Sequence, residues 1–175
     1  PVALQVPDQG TIWDANFSPD SQRIITATSE NSARIYSLDG KIVARLRHPT
    51  SVSLAVFGPK GEQVVTVDTE NVIRTWDAET NEVLGEYHGS AQTLESISFS
   101  PDGKKVLSVG FDKTARILDL NVGQVVPDNT RGRAFVQVAF SPDGATVAAI
   151  HETKDAGDKM ATVWDAKTGR RLGSM

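Results

Sequence analysis

The chain has 175 residues, 39% of them hydrophobic and 23% charged, with a formal charge of -4 at pH 7. That is room for one domain with a real core, and it makes no electrostatic case for nucleic acid or an anionic membrane as partner. With no cysteine, disulfides, thiolate nucleophiles and zinc–sulfur sites are excluded; no apolar window approaches the ~18 residues of a membrane span, and residues 1–30 lack the basic start and apolar run of a targeting segment.

In chain order, the first apolar run is VALQVP at 2–7. Four β-type runs follow: TIWDANF (11–17), RIITATS (23–29), SARIYSL (32–38) and KIVARLR (41–47). They are rich in Val, Ile, Thr and aromatics and are separated by Pro-Asp, Asn-Ser and Asp-Gly turn chemistry. The Ser-Pro-Asp-Gly phrase suits a type I turn, in which Pro supplies the fixed φ and Gly the left-handed exit. The same succession then repeats. Phe17, Phe57, Phe99 and Phe140 each open a Phe-x-Pro phrase, at intervals of 40, 42 and 41 residues. A second landmark (Tyr36, Trp76, Leu118) follows the first three phenylalanines by 19 residues; in the fourth copy it is Trp164, 24 residues on. The five extra residues fall within HETKDAGDK (151–159), a polar stretch where a loop absorbs them.

A fixed period of this length signals a stacked or radial repeat. No window sustains a helical period, so the chain reads as all-β, with four short antiparallel strands per unit: the blade of a β-propeller. The units run approximately 10–48, 49–89, 90–129 and 130–175, after an outer strand at 1–9. Val2–Pro7 corresponds to Ile42–Arg47, the outermost strand of a blade, while Arg170–Met175 supplies one for the fourth unit. Four blades plus one extra outer strand are expected to be part of a larger propeller rather than a closed four-bladed ring, and open blade edges invite self-association.

These residues resemble the WD-repeat β-propeller family along essentially the whole chain. The strand-ending Trp-Asp is present at Trp76-Asp77 and Trp164-Asp165, with Tyr36-Ser37 and Leu118-Asp119 in the other units. The resemblance implies a ring of about seven blades. It also implies, inside each blade, a hydrogen-bonded chain of a turn carboxylate, a His, a Ser or Thr and the Trp. The turn carboxylate, six residues before the landmark, would be Glu30, Glu70, Asp112 and Asp158; the His appears only as His48. The second unit comes nearest, with His48, Glu70, Trp76 and Thr66, and no unit has all four standard residues.

The resemblance further implies a non-catalytic scaffold that binds a protein or peptide across its loop face. Its contact positions lie four and six residues before each Phe and just before the turn carboxylate. Here these are Thr11 and Trp13, Ser51 and Ser53, Thr93 and Glu95, Ala134 and Val136, then Ser29, Thr69, Phe111 and Gly157. The aromatics Trp13 and Phe111 are the anchors of choice, with Thr11, Glu95, Thr93 and Thr69 beside them; packing between blades is the competing role for both aromatics. A sensor or regulatory module of a larger signalling protein is the second reading, and an enzyme using the carboxylates Asp14 and Glu95 the third.

No nucleophile elbow, phosphate-binding Gly-rich loop or His-Glu-x-x-His is present in the sequence. His151, Glu152, Asp155 and Asp158 have neither EF-hand nor zinc spacing and read as a solvated loop. The sequon Asn16-Phe17-Ser18 overlaps the structural Phe-Ser-Pro phrase. The expectation is therefore no catalytic set, no metal, no cofactor, and a protein or peptide partner rather than nucleic acid or membrane. A cytoplasmic location is the default.

Overall fold

The computed structural model describes residues 10–89, 92–121, 124–128, 135–152 and 158–174. The run at 2–7 lies outside them. The described residues form sixteen strands in four antiparallel four-stranded sheets, with no helix. Blade 1 is β1 (Ile12–Phe17), β2 (Arg23–Thr28), β3 (Ser32–Ser37) and β4 (Ile42–Arg47). Blade 2 is β5 (Val52–Phe57), β6 (Gln63–Asp68), β7 (Val72–Asp77) and β8 (Val83–His88). Blade 3 is β9 (Leu94–Phe99), β10 (Lys105–Gly110), β11 (Ala115–Asp119) and β12 (Gln124–Asp128). Blade 4 is β13 (Phe135–Phe140), β14 (Thr146–Glu152), β15 (Lys159–Asp165) and β16 (Arg171–Ser174). Within each sheet the strands pair in chain order, as a meander.

Two compact units result, Pro1–His88 holding blades 1 and 2 and Gly89–Met175 holding blades 3 and 4. In the first, β5 packs on the face of blade 1, and Ile25, Ala27, Ile35, Val52, Ala55 and Trp76 form a common core. In the second, β13 packs on β9 and β10, with Leu107, Val109, Phe135, Val138 and Trp164 in the core. Burial explains the composition. The inner pair of strands in blade 2 is buried at consecutive positions, so β6 reads Val-Val-Thr-Val, whereas β4 alternates exposed and buried after Val43. All four landmarks, Tyr36, Trp76, Leu118 and Trp164, are at most 4% exposed. Each such side chain contributes roughly 1.5–3 kcal/mol by leaving water.

The turns between first and second strands are built as their residues dictate. Ser21 N–H donates to Ser18 C=O at 2.9 Å around Pro19 and Asp20, and the same bond recurs from Gly61, Gly103 and Gly144. The Ser18 hydroxyl donates to Asp20 at 2.5 Å and accepts Arg23 N–H at 2.8 Å. Ser100 with Asp102 and Ser141 with Asp143 repeat this arrangement. Those serine hydroxyls are the first cause holding the Asp20, Asp102 and Asp143 carboxyls below the usual range. The exit residue has positive φ in all four turns; it is Gly61, Gly103 and Gly144 at 70–74°, but Ser21 at 57°.

Candidate functional site

The site is best built from the first strand of each blade, because all four carry the same irregularity. In β1 the pairing steps from Ile12↔Thr28 to Asp14↔Ala27, so Trp13 is the extra residue of a β-bulge. The corresponding steps place Ser53, Glu95 and Val136 in bulges of β5, β9 and β13. A bulge bends the strand and re-aims the extra side chain. Trp13 is 47% exposed and Val136 37%, while Ser53 and Glu95 are half-buried. All four bulge residues stand four positions before the Phe of their unit.

A second repeated device ties the loop into the first strand to the turn between the second and third. Ser29 N–H donates to Thr11 C=O at 3.0 Å, Thr69 N–H to Ser51 C=O at 2.8 Å, and Phe111 N–H to Thr93 C=O at 3.0 Å. The expected contact residues are thereby brought together blade by blade. Thr11, Trp13 and Ser29 cluster in blade 1, Ser51, Ser53 and Thr69 in blade 2, and Thr93, Glu95 and Phe111 in blade 3. Phe111 is 48% exposed, and Thr11, Thr69 and Thr93 are exposed. Ala134 and Gly157 lie outside the described residues.

Blade 2 contains a buried polar network. Trp76 Nε1–H donates to Thr66 Oγ1 at 2.8 Å, and the Trp76 ring lies 5.2 Å from the His48 ring, centroid to centroid. Here one expectation is corrected. Glu70 is exposed, and the turn carboxylate of blade 2 is Asp68, two residues earlier and 1% exposed. Asp68 Oδ1 accepts the N–H groups of Glu70 and Val72, both at 3.0 Å, and Oδ2 is ion-paired with Arg74. The reason is geometric: Asp68 ends β6 with its side chain inward, while Glu70 is already on the outside of the turn. Arg74 also pairs with Glu86 on β8, Nε to Oε2 at 2.9 Å, and its Nη1 donates to His48 Nδ1 at 3.1 Å. Since a guanidinium only donates, the ring proton of His48 is on Nε2. Burial, then the Arg74 charge, push the His48 pKa down to about 4, against the opposing pull of Asp68. His48 is thus a neutral structural imidazole at pH 7.

The arginine was the signal missed in the sequence. Arg34, Arg74 and Arg116 each stand two residues before the landmark of their unit. Each is paired with a carboxylate at the preceding turn: Arg34 with Glu30, Arg74 with Asp68, and Arg116 with Asp112 at 2.5 Å. Asp112 Oδ1 also accepts Thr114 N–H at 3.1 Å and Thr114 Oγ1 at 2.9 Å, which braces its turn. In blade 4 the arginine position is Thr162, Asp158 is exposed, and His151 takes over. Its Nε2 lies 3.0 Å from Thr162 Oγ1, and its ring meets Phe135 edge-on at 5.8 Å. Of the remaining loop cluster, Asp155 lies outside the described residues. The landmark aspartates cap the next turn: Asp77 accepts Glu79 and Thr80 N–H, and Asp165 accepts Lys167 and Thr168 N–H.

The two acids weighed for catalysis have different roles. Asp14 Oδ2 accepts Ala55 N–H at 3.1 Å and Asn16 Nδ2 at 3.0 Å, joining β1 to β5. Ser96 occupies the same register in blade 3, and its hydroxyl accepts Val138 N–H at 3.4 Å. Asn16 itself donates to Ala55 C=O at 3.0 Å, so the sequon asparagine is engaged between blades. Glu95 sits in its bulge. In the first unit the loop end of blade 1 carries the exposed Trp13 and Thr11; in the second unit that of blade 3 carries the exposed Phe111 and Thr93 with the half-buried Glu95.

Comparison with known proteins agrees with the repeat. The model of the family described as "WD domain, G-beta repeat" matches residues 4–37 and 81–119. WD repeat-containing protein 90 of Xenopus tropicalis is 26% identical over 148 residues, 82% of this chain and 8% of that protein. Eukaryotic translation initiation factor 3 subunit I of Coccidioides immitis is 28% identical over 123 residues, 70% of this chain and 36% of that protein. The serine-threonine kinase receptor-associated protein of Dictyostelium discoideum is 26% identical over 163 residues, 91% of this chain and 53% of that protein. The matched region thus spans about half or less of each of these relatives.

Proposed function

Because the chain belongs to the WD-repeat family, we propose that it is a non-catalytic protein-interaction scaffold that binds a protein or peptide through the loop ends of its blades. The observation that carries this reading is the repeated bulge, which sets one residue of every described first strand out of the ladder at the same position. Trp13 supplies a half-exposed indole with Thr11 beside it, and Thr69 belongs to the neighbouring blade of the same unit. In the second unit Phe111, Thr93 and Glu95 make the equivalent group. An aromatic that is exposed yet mounted on a rigid strand loses little entropy on binding and gives a partner a large apolar contact.

Relatives named for a translation initiation factor subunit and for association with a kinase receptor favour protein partners for this chain as well. A regulatory module within a longer signalling protein uses the same surface; the small share of the Xenopus relative that is matched favours that setting. An enzyme built on Asp14 and Glu95 is disfavoured by Asp14's part in joining two blades.

Peptides selected from a displayed library against the 175-residue chain test this reading. They should lose at least about tenfold in affinity for the Trp13→Ala and Phe111→Ala variants, the cost of removing an aromatic anchor. Peptides that bind both variants as tightly as the wild type would overturn it.

A further inference from the structure

Each unit is held by the same contact: the second blade lays a leading face, built on its first strand, against the trailing face of the first blade. In the first unit the leading face is Val52, Ala55 and Phe57, at most 9% exposed, and the trailing face is the fully buried Ile25, Ala27 and Ile35. β5 packs on β1 and β2, and side chains lace the two first strands together. Ala55 N–H donates to Asp14 Oδ2 at 3.1 Å, and Asn16 Nδ2 donates to Ala55 C=O at 3.0 Å. The second unit repeats the contact with β13 on β9 and β10, laced by Val138 N–H to the Ser96 hydroxyl at 3.4 Å.

Two faces of the same make-up stand open. On the leading face of blade 1, Ile12, Ala15 and Phe17 occupy the registers of Val52, Ala55 and Phe57. Yet Ile12 is 39% exposed, Phe17 is 65% exposed and Ala15 is exposed. On the trailing face of blade 4, Ala148, Ile150 and Val163 occupy the registers of Ile25, Ala27 and Ile35, and all three are only half-buried. Gln137 stands there at the register of Asp14 and Ser96. It is exposed, and its amide has no hydrogen-bond partner among the described residues. Aliphatic surface left in water is costly, and contiguous patches of it mark contact sites. The surface that fits a leading face is a trailing face, as both units demonstrate, so two copies would meet head to tail rather than like to like.

We propose that a second copy of this chain docks through these faces, the trailing face of its blade 4 on the leading face of blade 1. The contact continues between copies the packing that joins blades within each unit. Ala148, Ile150 and Val163 of one copy cover Ile12 and Phe17 of the other. The Gln137 amide has both an acceptor and a donor, so it takes the N–H and C=O of Ala15 as Asp14 and Asn16 together take those of Ala55. The contact uses neither Trp13 nor Phe111 and is independent of the interaction surface proposed above.

Sedimentation equilibrium of the 175-residue chain over a range of concentrations tests the proposal, and the mass should rise with concentration in whole copies. Phe17→Asp disables the leading face and Ile150→Asp the trailing face. Each variant alone should sediment as a single chain, at a temperature where its circular dichroism matches the wild type. An equimolar mixture of the two should form one-to-one pairs, because each supplies the face that the other lacks. Gln137→Ala, at an exposed position, is the third variant; it should weaken association about tenfold, as loss of two neutral hydrogen bonds does, without lowering the melting temperature of the dilute chain. A wild-type mass that stays at one copy, association that survives Phe17→Asp, or an unchanged association constant in Gln137→Ala would overturn the proposal. So would folded variants that fail to pair when mixed.

Discussion

Blades 1 and 2 share a backbone plan strand for strand and neutralise the same buried arginine differently. In blade 2, Arg74 lies between Asp68 and Glu86 and reaches His48, with the tilted Trp76 ring beside His48 and Thr66 closing the chain. In blade 1, Arg34 has Glu30, Thr28 ends the second strand, and Arg45 occupies the facing position. The turns, the bulge and the lacing bond to the first strand are common to both. Backbone geometry in this repeat is therefore set by turn residues and apolar periodicity, while the polar interior is free to change, so long as each buried charge finds a partner.

The largest effect that this comparison predicts is at the equivalent pair Asp68 and Thr28. Asp68→Ala leaves Arg74 buried without its inner carboxylate and two N–H groups without an acceptor, and should cost about 3–5 kcal/mol in urea unfolding. Thr28→Ala removes a donor to Ser32 C=O and should cost about 1 kcal/mol. Equal costs would break the distinction between the blades.

Next in size is the pH dependence of blade 2. Folded His48 titrates at about 4, against an ordinary value of 6.5. Between those limits the unfolded chain binds the extra proton, so this contribution is complete above pH 6.5 and is lost as the pH falls toward 4. Its size is at most about 3 kcal/mol. Stability measured at pH 7 and pH 4.5 should differ less in His48→Gln than in the wild type; an unchanged difference would remove His48 from the account.

Smaller again is Trp76→Phe, which keeps most of the apolar contact and leaves Thr66 Oγ1 without its donor, at about 1–2 kcal/mol. The smallest effect has the opposite sign. Ser21 holds the left-handed conformation that glycine supplies at Gly61, Gly103 and Gly144, so Ser21→Gly should raise stability by up to about 1 kcal/mol. A calorimetric melt that fell instead would show that the Ser21 side chain contributes something that its φ does not reveal.

Much of the backbone was legible because its causes are local. The runs read at 11–17, 23–29, 32–38 and 41–47 became Ile12–Phe17, Arg23–Thr28, Ser32–Ser37 and Ile42–Arg47. The Ser-Pro-Asp phrase named both the turn and the residue that leaves it with positive φ. The polar interior was legible only in part. His48, Thr66 and Trp76 were named through the family resemblance, but Glu70 was assigned what Asp68 does, because counting back from the landmark does not reveal which side chain of a turn points inward. The arginines at 34, 74 and 116 carry no motif of their own, and their partners come from a turn and, for Arg74, a neighbouring strand as well. The bulges at Trp13, Ser53, Glu95 and Val136 could not be seen at all, because a bulge is a property of the pairing between strands. Of the contact positions, only those four residues before each Phe fell on them; Thr11, Ser51, Thr93, Ser29, Thr69 and Phe111 lie outside the bulges.

The central claim is that the bulge and turn aromatics belong to the surface and are available to a partner. The most direct measurement is the unfolding of the double variant Trp13→Ala with Phe111→Ala, followed by calorimetry beside the wild type. If both side chains are surface groups, the two proteins should melt within about 2 °C of each other, as surface substitutions do. A loss of several degrees would place the aromatics in the packed interior and contradict the proposed interaction surface.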